Sequence, residues 1–292
     1  MRSNGRVADG PTVFPVLTAA QNAVQLRSRL ESLLNVPQRV RLRGFLRLGL
    51  AGQRFEQPSP PSNAMNTLSL LNGLRFVDSF FPSGGYAFSS GLEASVQGGA
   101  VRNAEELSRY VVELLTTGIS EREAVAVGLA HEAYVSGSLD IAFKVDRELE
   151  AMKLGHESRT ASRQMGRQVI RLAADQLARQ PLIEDYLATV EAERTPGHLA
   201  VSLGLTLAAA GWSKEDAIAS FLYQTATGFV AAAMKLIPLG QREGQRLLES
   251  WLTVIERVSC NAMHRQVLQS WSPIQDIYAM RHSRLESRLF RS

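Results

Sequence analysis

Asp78-Ser-Phe-Phe-Pro-Ser-Gly-Gly-Tyr-Ala-Phe-Ser-Ser-Gly-Leu-Glu93 is the stretch from which the rest of the chain can be read. Pro82 removes a backbone donor and fixes φ, while Gly84 and Gly85 permit positive φ and close backbone approach. A helical pattern breaks there and restarts at Leu92. The spacing predicts a tight, buried corner between helices, with Tyr86 and Phe88 as core aromatics. Just upstream, Leu70, Leu71, Leu74 and Val77 recur at helical spacing and read as a core-facing stripe that ends at Asp78.

Downstream the pattern stays helical. Gly91 to Gly98 reads as a short helix. Asn103-Ala-Glu-Glu106 reads as an N-cap with its reciprocal acid, opening a face of Leu107, Tyr110, Val111, Leu114 and Leu115. Gly118 and Ser120 interrupt, and helices follow over 121–134 and 139–152. From His156 to Arg179 one stripe is apolar, and Arg159, Arg163, Arg167 and Arg171 form a basic ridge. That ridge reads as a solvated face with acids of a neighbouring helix to pair with, and the competing reading is an acid-binding edge for a partner. His198 to Ala210 is small and apolar on all sides, the mark of a central buried helix. Ser213-Lys-Glu-Asp216 caps a helix running through Met234. Pro238-Leu-Gly240 is a second corner, and 243–269 runs helical. Ser272-Pro-Ile-Gln275 reads as a Ser-capped helix start, and the last helix ends near Leu285. No sustained alternation supports a sheet in residues 65–292, so the expectation is an all-α domain of about ten helices.

The 292 residues carry a net charge of +4, and residues 1–64 hold nine Arg against three acids. Basicity therefore belongs to this Arg- and Pro-containing extension, and the body carries a net −2, which argues against nucleic-acid binding by the body. The extension reads as poorly packed, with Asn22–Leu34 and Arg39–Leu50 as possible short helices, and with Met65 as the natural start. Cys260 is the only cysteine, which excludes an internal disulfide and suits a reducing compartment. No run of 18 apolar residues suggests a membrane span.

The sequence has no metal-ligand spacing among its five histidines, no phosphate loop and no nucleophile elbow. Cys260 and His264 lie one turn apart, two ligands with no third, and Cys260 reads as buried. Glu105, Glu106, Glu121 and Glu123 fall on helix starts, where the helix dipole accounts for them. The balance favours a binding or assembly protein without cofactor. The alternatives are a helical enzyme with a site around His156, Glu157 and Arg159, or a regulatory module unrelated to metal.

Three blocks, in this order, resemble the urease accessory protein UreF family. They are the opening stretch, then Leu236-Ile-Pro-Leu-Gly-Gln-Arg-Glu-Gly-Gln-Arg246, then Ser272-Pro273 with Asp276, Met280-Arg-His282 and the tail Ser287-Arg-Leu-Phe-Arg-Ser292. Lys235 stands where the family pattern has arginine, and Ala200 stands where the His198 helix has proline. The resemblance covers 65–292. It implies a dimeric, non-enzymatic, cytoplasmic chaperone that bridges UreD (UreH) and the GTPase UreG. That assembly modulates GTP hydrolysis and delivers nickel to apo-urease. The partner-binding residues it suggests are Pro82, Gly84, Gly85, Gly91, Glu93, Pro238, Gly240, Gln241, Gln245, Arg281, His282, Arg288, Leu289, Phe290 and Arg291, with the last four forming a tail that orders on UreD.

Overall fold

The computed structural model describes residues 66–291, and the readings made for the extension lie outside them. Among the described residues there are eleven α-helices and no strand. They are α1 (Thr67–Val77), α2 (Leu92–Gln97), α3 (Ala104–Glu113), α4 (Glu123–Ser136), α5 (Asp140–Met152), α6 (His156–Gln176), α7 (Pro181–Glu191), α8 (Leu199–Ala209), α9 (Lys214–Leu236), α10 (Gln241–Met263) and α11 (Pro273–Arg281).

The local signals act as helix chemistry requires. The Asn66 side chain caps α1 by accepting from the Ser69 amide, Asn103 caps α3 from the Glu106 amide, and Ser213 caps α9 from the Asp216 amide. Glu106 does not close the reciprocal half of its box; its carboxylate turns to the Arg102 amide and guanidinium instead. Ser272 departs further from expectation. Its side chain makes no capping bond, and its Oγ is buried without a partner against Gly118.

Helix α8 sits at the centre, buried on nearly every side, as its all-round apolar sequence requires. It packs most closely on α4 and then on α6. Gly204 permits the α4 contact, since a Cβ there would stand 2.4 Å from the Val127 carbonyl oxygen. The interruption at Gly118 is a turn of π-helix over Leu114–Ile119. A later segment uses carbonyls in and just after it: the Trp271 amide donates to Thr117 O in the turn, and the Gln269 amide to Glu121 O beyond it.

Three arginines of the α6 ridge pair as expected, Arg159 and Arg163 facing Glu150 of α5 and Arg171 facing Glu191 of α7, whereas Arg167 Nε is buried without a partner. Helix α9 is long and apolar enough to cross a membrane by length and composition. About half of it is buried against its neighbours, which is what a core helix shows too.

The α1 stripe is a correction. Gly73 and Phe76 face inward, with Gly73 against the Trp212 indole, while Leu70, Leu71 and Leu74 are exposed. The helix carries apolar residues on two faces, and the indole hydrogen bond from Trp212 Nε1 to the Ser69 carbonyl selects which one turns inward. Tyr86 is likewise 81% exposed rather than core, whereas Phe88 is partly buried.

Candidate functional site

The corner after α1 is built on left-handed glycines. Gly84 has φ +80° and opens a single 3-10 turn over Gly85–Ala87. Gly91 has φ +85° and precedes α2; a Cβ there would lie 2.9 Å from the Ala279 amide nitrogen of α11. Position 91 therefore needs glycine both for its backbone and for the approach of α11.

That approach brings the C-terminal segment beside α2. Glu93, in the first turn of α2, is almost fully buried. Its Oε1 accepts from the Leu289 amide at 2.6 Å, and its Oε2 accepts from the Phe290 amide at 3.1 Å. His282 Nε2 reaches the same Oε2 at 2.9 Å, and His282 Nδ1 reaches Glu157 Oε2 of α6 at 2.7 Å. Arg288 Nη1 meets the other oxygen of Glu157 at 2.9 Å. The Arg291 amide donates to Ala87 O, which ties the tail to the corner. Burial works to raise the Glu93 carboxyl, but the Leu289 amide, His282 and the Phe290 amide outweigh it and hold the group below the ordinary carboxylate value.

The tail is thus held by its own chain. Phe290 is buried at 6% exposure, with Lys235 Nζ 5.2 Å from its ring centroid. Leu289 points outward at 63% exposure, and Arg288 and Arg291 are exposed. Of the four tail residues expected to meet a partner, Phe290 is occupied internally and Arg288 is paired with Glu157, whereas Leu289 and Arg291 remain on display.

Alongside lies an open groove of about 1210 Å³. Its apolar lining includes the exposed Leu71 and Leu74 of α1, Tyr86 of the corner, and Leu252 and Ile255 of α10. Gly85, Gln245, Lys235 and Phe290 also line it, so the opening stretch, the α9–α10 region and the tail meet at one surface. Pro82, Gly84, Pro238, Gly240, Gln241 and Arg281 do not line it; Gly84 is partly buried, and the other five are exposed nearby in sequence.

Deeper in, Glu123 is a buried ion-pair centre that its place at a helix start did not reveal. Arg122 Nε lies 3.1 Å from it, and Lys153 Nζ pairs with it. Burial would raise this carboxyl, but Arg122 and Lys153 bring it down to about 2. A second buried acid, Asp146 of α5, accepts from the Thr195 hydroxyl and the Gly197 and His198 amides, anchoring the entry to α8. Burial still lifts its carboxyl above the ordinary value. Neither acid carried a sequence signal, because apart from the adjacent Arg122 their partners lie 30 to 52 positions away.

Of the residues suggested as an alternative centre, Glu157 pairs with His282 and Arg288, and Arg159 faces Glu150. Cys260 is exposed, not buried, with Glu215 3.9 Å away, and among the described residues no group of three His, Cys, Asp or Glu side chains is arranged to hold a metal ion.

The UreF family model matches residues 101–252. A urease accessory protein UreF of Dechloromonas aromatica is 32% identical over 230 residues, covering 77% of this chain and 98% of its own. That of Actinobacillus pleuropneumoniae serotype 5b is 28% identical, covering 75% and 97%. That of Bacillus sp. strain TB-90 is 28% identical, covering 76% and 99%. On a family model that matches more than half of the chain and a relative 32% identical over most of it, the chain belongs to the UreF family of urease accessory proteins.

Proposed function

We propose that this protein serves urease maturation as a non-catalytic assembly factor. In this reading it works in the cytoplasm as a homodimer and bridges UreD and the GTPase UreG. It modulates GTP hydrolysis so that nickel, the cargo of the assembly, reaches apo-urease. It takes no part in nucleic-acid or membrane binding. The reading rests on the family membership and on one observation of geometry. Each of the three sequence blocks that carry the resemblance contributes to one open apolar groove, through Gly85, Gln245 and Phe290, and beside it the tail displays Leu289 and Arg291. Exposed apolar side chains beside cations suit protein capture: the apolar residue supplies desolvated area and the cations steer approach.

Size-exclusion co-elution of the full chain with UreD and UreG tests this. The intact protein is expected to enter a complex with both. Deleting residues 283–292 is expected to abolish UreD capture. Leu289→Asp, which leaves the buried Phe290 in place, is expected to weaken it. Undiminished capture by both variants would remove the tail from the account, and failure of the intact chain to bind either protein would overturn the bridging role.

A further inference from the structure

His282 is fully buried at the end of α11, between carboxylates from two other helices. A carboxylate oxygen only accepts, so a ring that satisfies Glu93 and Glu157 together donates from both nitrogens and carries a positive charge. A neutral imidazole has a single N–H. Loss of the ring proton therefore leaves one buried carboxylate facing a lone pair, with no counter-charge between the two acids.

The same two carboxylates hold the tail. Glu93 receives the Leu289 and Phe290 amides, and Glu157 receives Arg288. Two further ties are independent of them, the Arg291 amide to Ala87 O and the Gln97 side-chain amide to Ser287 O. The charged groups facing the ring are Glu93 from α2 and Glu157 from α6. Arg288 of the tail lies behind Glu157. Arg281 and Arg284 flank the ring on its own segment and are exposed, and Lys235 of α9 sits over Phe290.

We propose that His282 is the charge-dependent pin of a C-terminal strap. With the imidazolium in place the strap lies down, and Phe290 fills the end of the groove beside Lys235. With a neutral ring, Glu93 and Glu157 are no longer bridged. The tail amides lose their shared acceptor geometry, and the strap lifts to uncover the Phe290 seat. The groove end thus has two states, set by one proton. The device acts within the chain, so its test needs no partner and stands apart from the test of the bridging role.

The test is NMR on the isotope-labelled full chain. It follows the His282 ring nitrogens and the exchange protection of the Leu289 and Phe290 amides as pH is raised. Both protection factors are expected to fall together, by about tenfold or more, over the range in which the ring loses its proton. Leu203 in the buried α8 is expected to keep its protection. His282→Gln, with one donor and no charge, is expected to show low tail protection at every pH. Glu157→Gln, which leaves both Glu93 ties to the tail intact, is expected to open the strap at lower pH. Tail amides that stay equally protected once the ring is neutral would overturn the proposal. So would full tail protection in a folded His282→Gln protein. If that variant does not fold, the wild-type titration and Glu157→Gln decide alone.

Discussion

Acidification is expected to unfold this protein in a way that one buried ring controls. His198 begins the entry to α8, is fully buried, and places Nδ1 3.1 Å from Ser162 Oγ and Nε2 3.0 Å from Glu150 Oε2. Burial, reinforced by Lys153, Arg163 and Arg159 against an opposing pull from Glu123, brings the imidazole down from 6.5 to about 3. Glu150 does not reverse this, because its charge is shared with Arg159 and Arg163. The ring is therefore neutral, with Nε2–H donating to Glu150 and Nδ1 accepting from Ser162. A base whose folded pKa is depressed takes its proton first in the unfolded chain. Its contribution to stability is complete above about pH 6.5 and is lost as pH falls from there toward about 3.

At full slope each pH unit in that window costs about 1.4 kcal/mol, so descent to about pH 5 costs about 2 kcal/mol from this ring alone. His198→Gln keeps an N–H toward Glu150 and has no titrating ring. Urea unfolding at about pH 7, 6 and 5 compares the two proteins. The variant is expected to be less stable overall, with a loss between about pH 7 and pH 5 smaller than wild type by about 2 kcal/mol. His131, also lowered by burial, and the depressed Glu93 and Glu123 carboxyls are common to both proteins and cancel. Parallel stability curves for the two proteins would refute the neutral-ring reasoning.

Two substitutions test the packing that positions the site. Gly204→Leu forces side-chain atoms where a Cβ already stands 2.4 Å from Val127 O, separating α4 from α8, and calorimetry is expected to show a loss of about 3 kcal/mol or more. An unchanged melting temperature would show that the two helices slide apart freely. Gly91→Ala adds a left-handed φ penalty to a 2.9 Å contact with the Ala279 amide, for an expected loss of about 2 to 4 kcal/mol with faster exchange of the tail amides. A variant as stable as wild type would mean that α11 does not need its close seat on α2.

Most of the fold was legible in local chemistry. The caps at Asn103 and Ser213 and the all-round apolar α8 act over a few residues, so single-sequence pattern suffices for them. What failed was the choice of face. Helix α1 offers apolar residues on two sides, and only Trp212, far along the chain, decides that Gly73 and Phe76 go inward while Leu71 and Leu74 stay out. Ser272 read as a cap by local pattern, but its side chain packs against Gly118 of the π-turn with the hydroxyl left unpartnered. For the site, sequence motif placed Glu93, His282 and the tail in one set. It did not show that they bond to each other across 189 or more positions, or that Phe290 is spent on its own chain. Such contacts are set by how the helices pack, which no short-range spacing encodes.

The central claim is that the apolar groove lining is displayed for capture and is not needed for folding. The most direct measurement is urease activation in a mixture of apo-urease, UreD, UreG, GTP, bicarbonate and nickel, comparing wild type with Leu71→Glu/Leu74→Glu. Both leucines are exposed, so the doubly substituted protein is expected to melt as wild type does, to within about 1 kcal/mol in stability, and yet to lose most of the activation. Full activation by that folded protein would contradict the account.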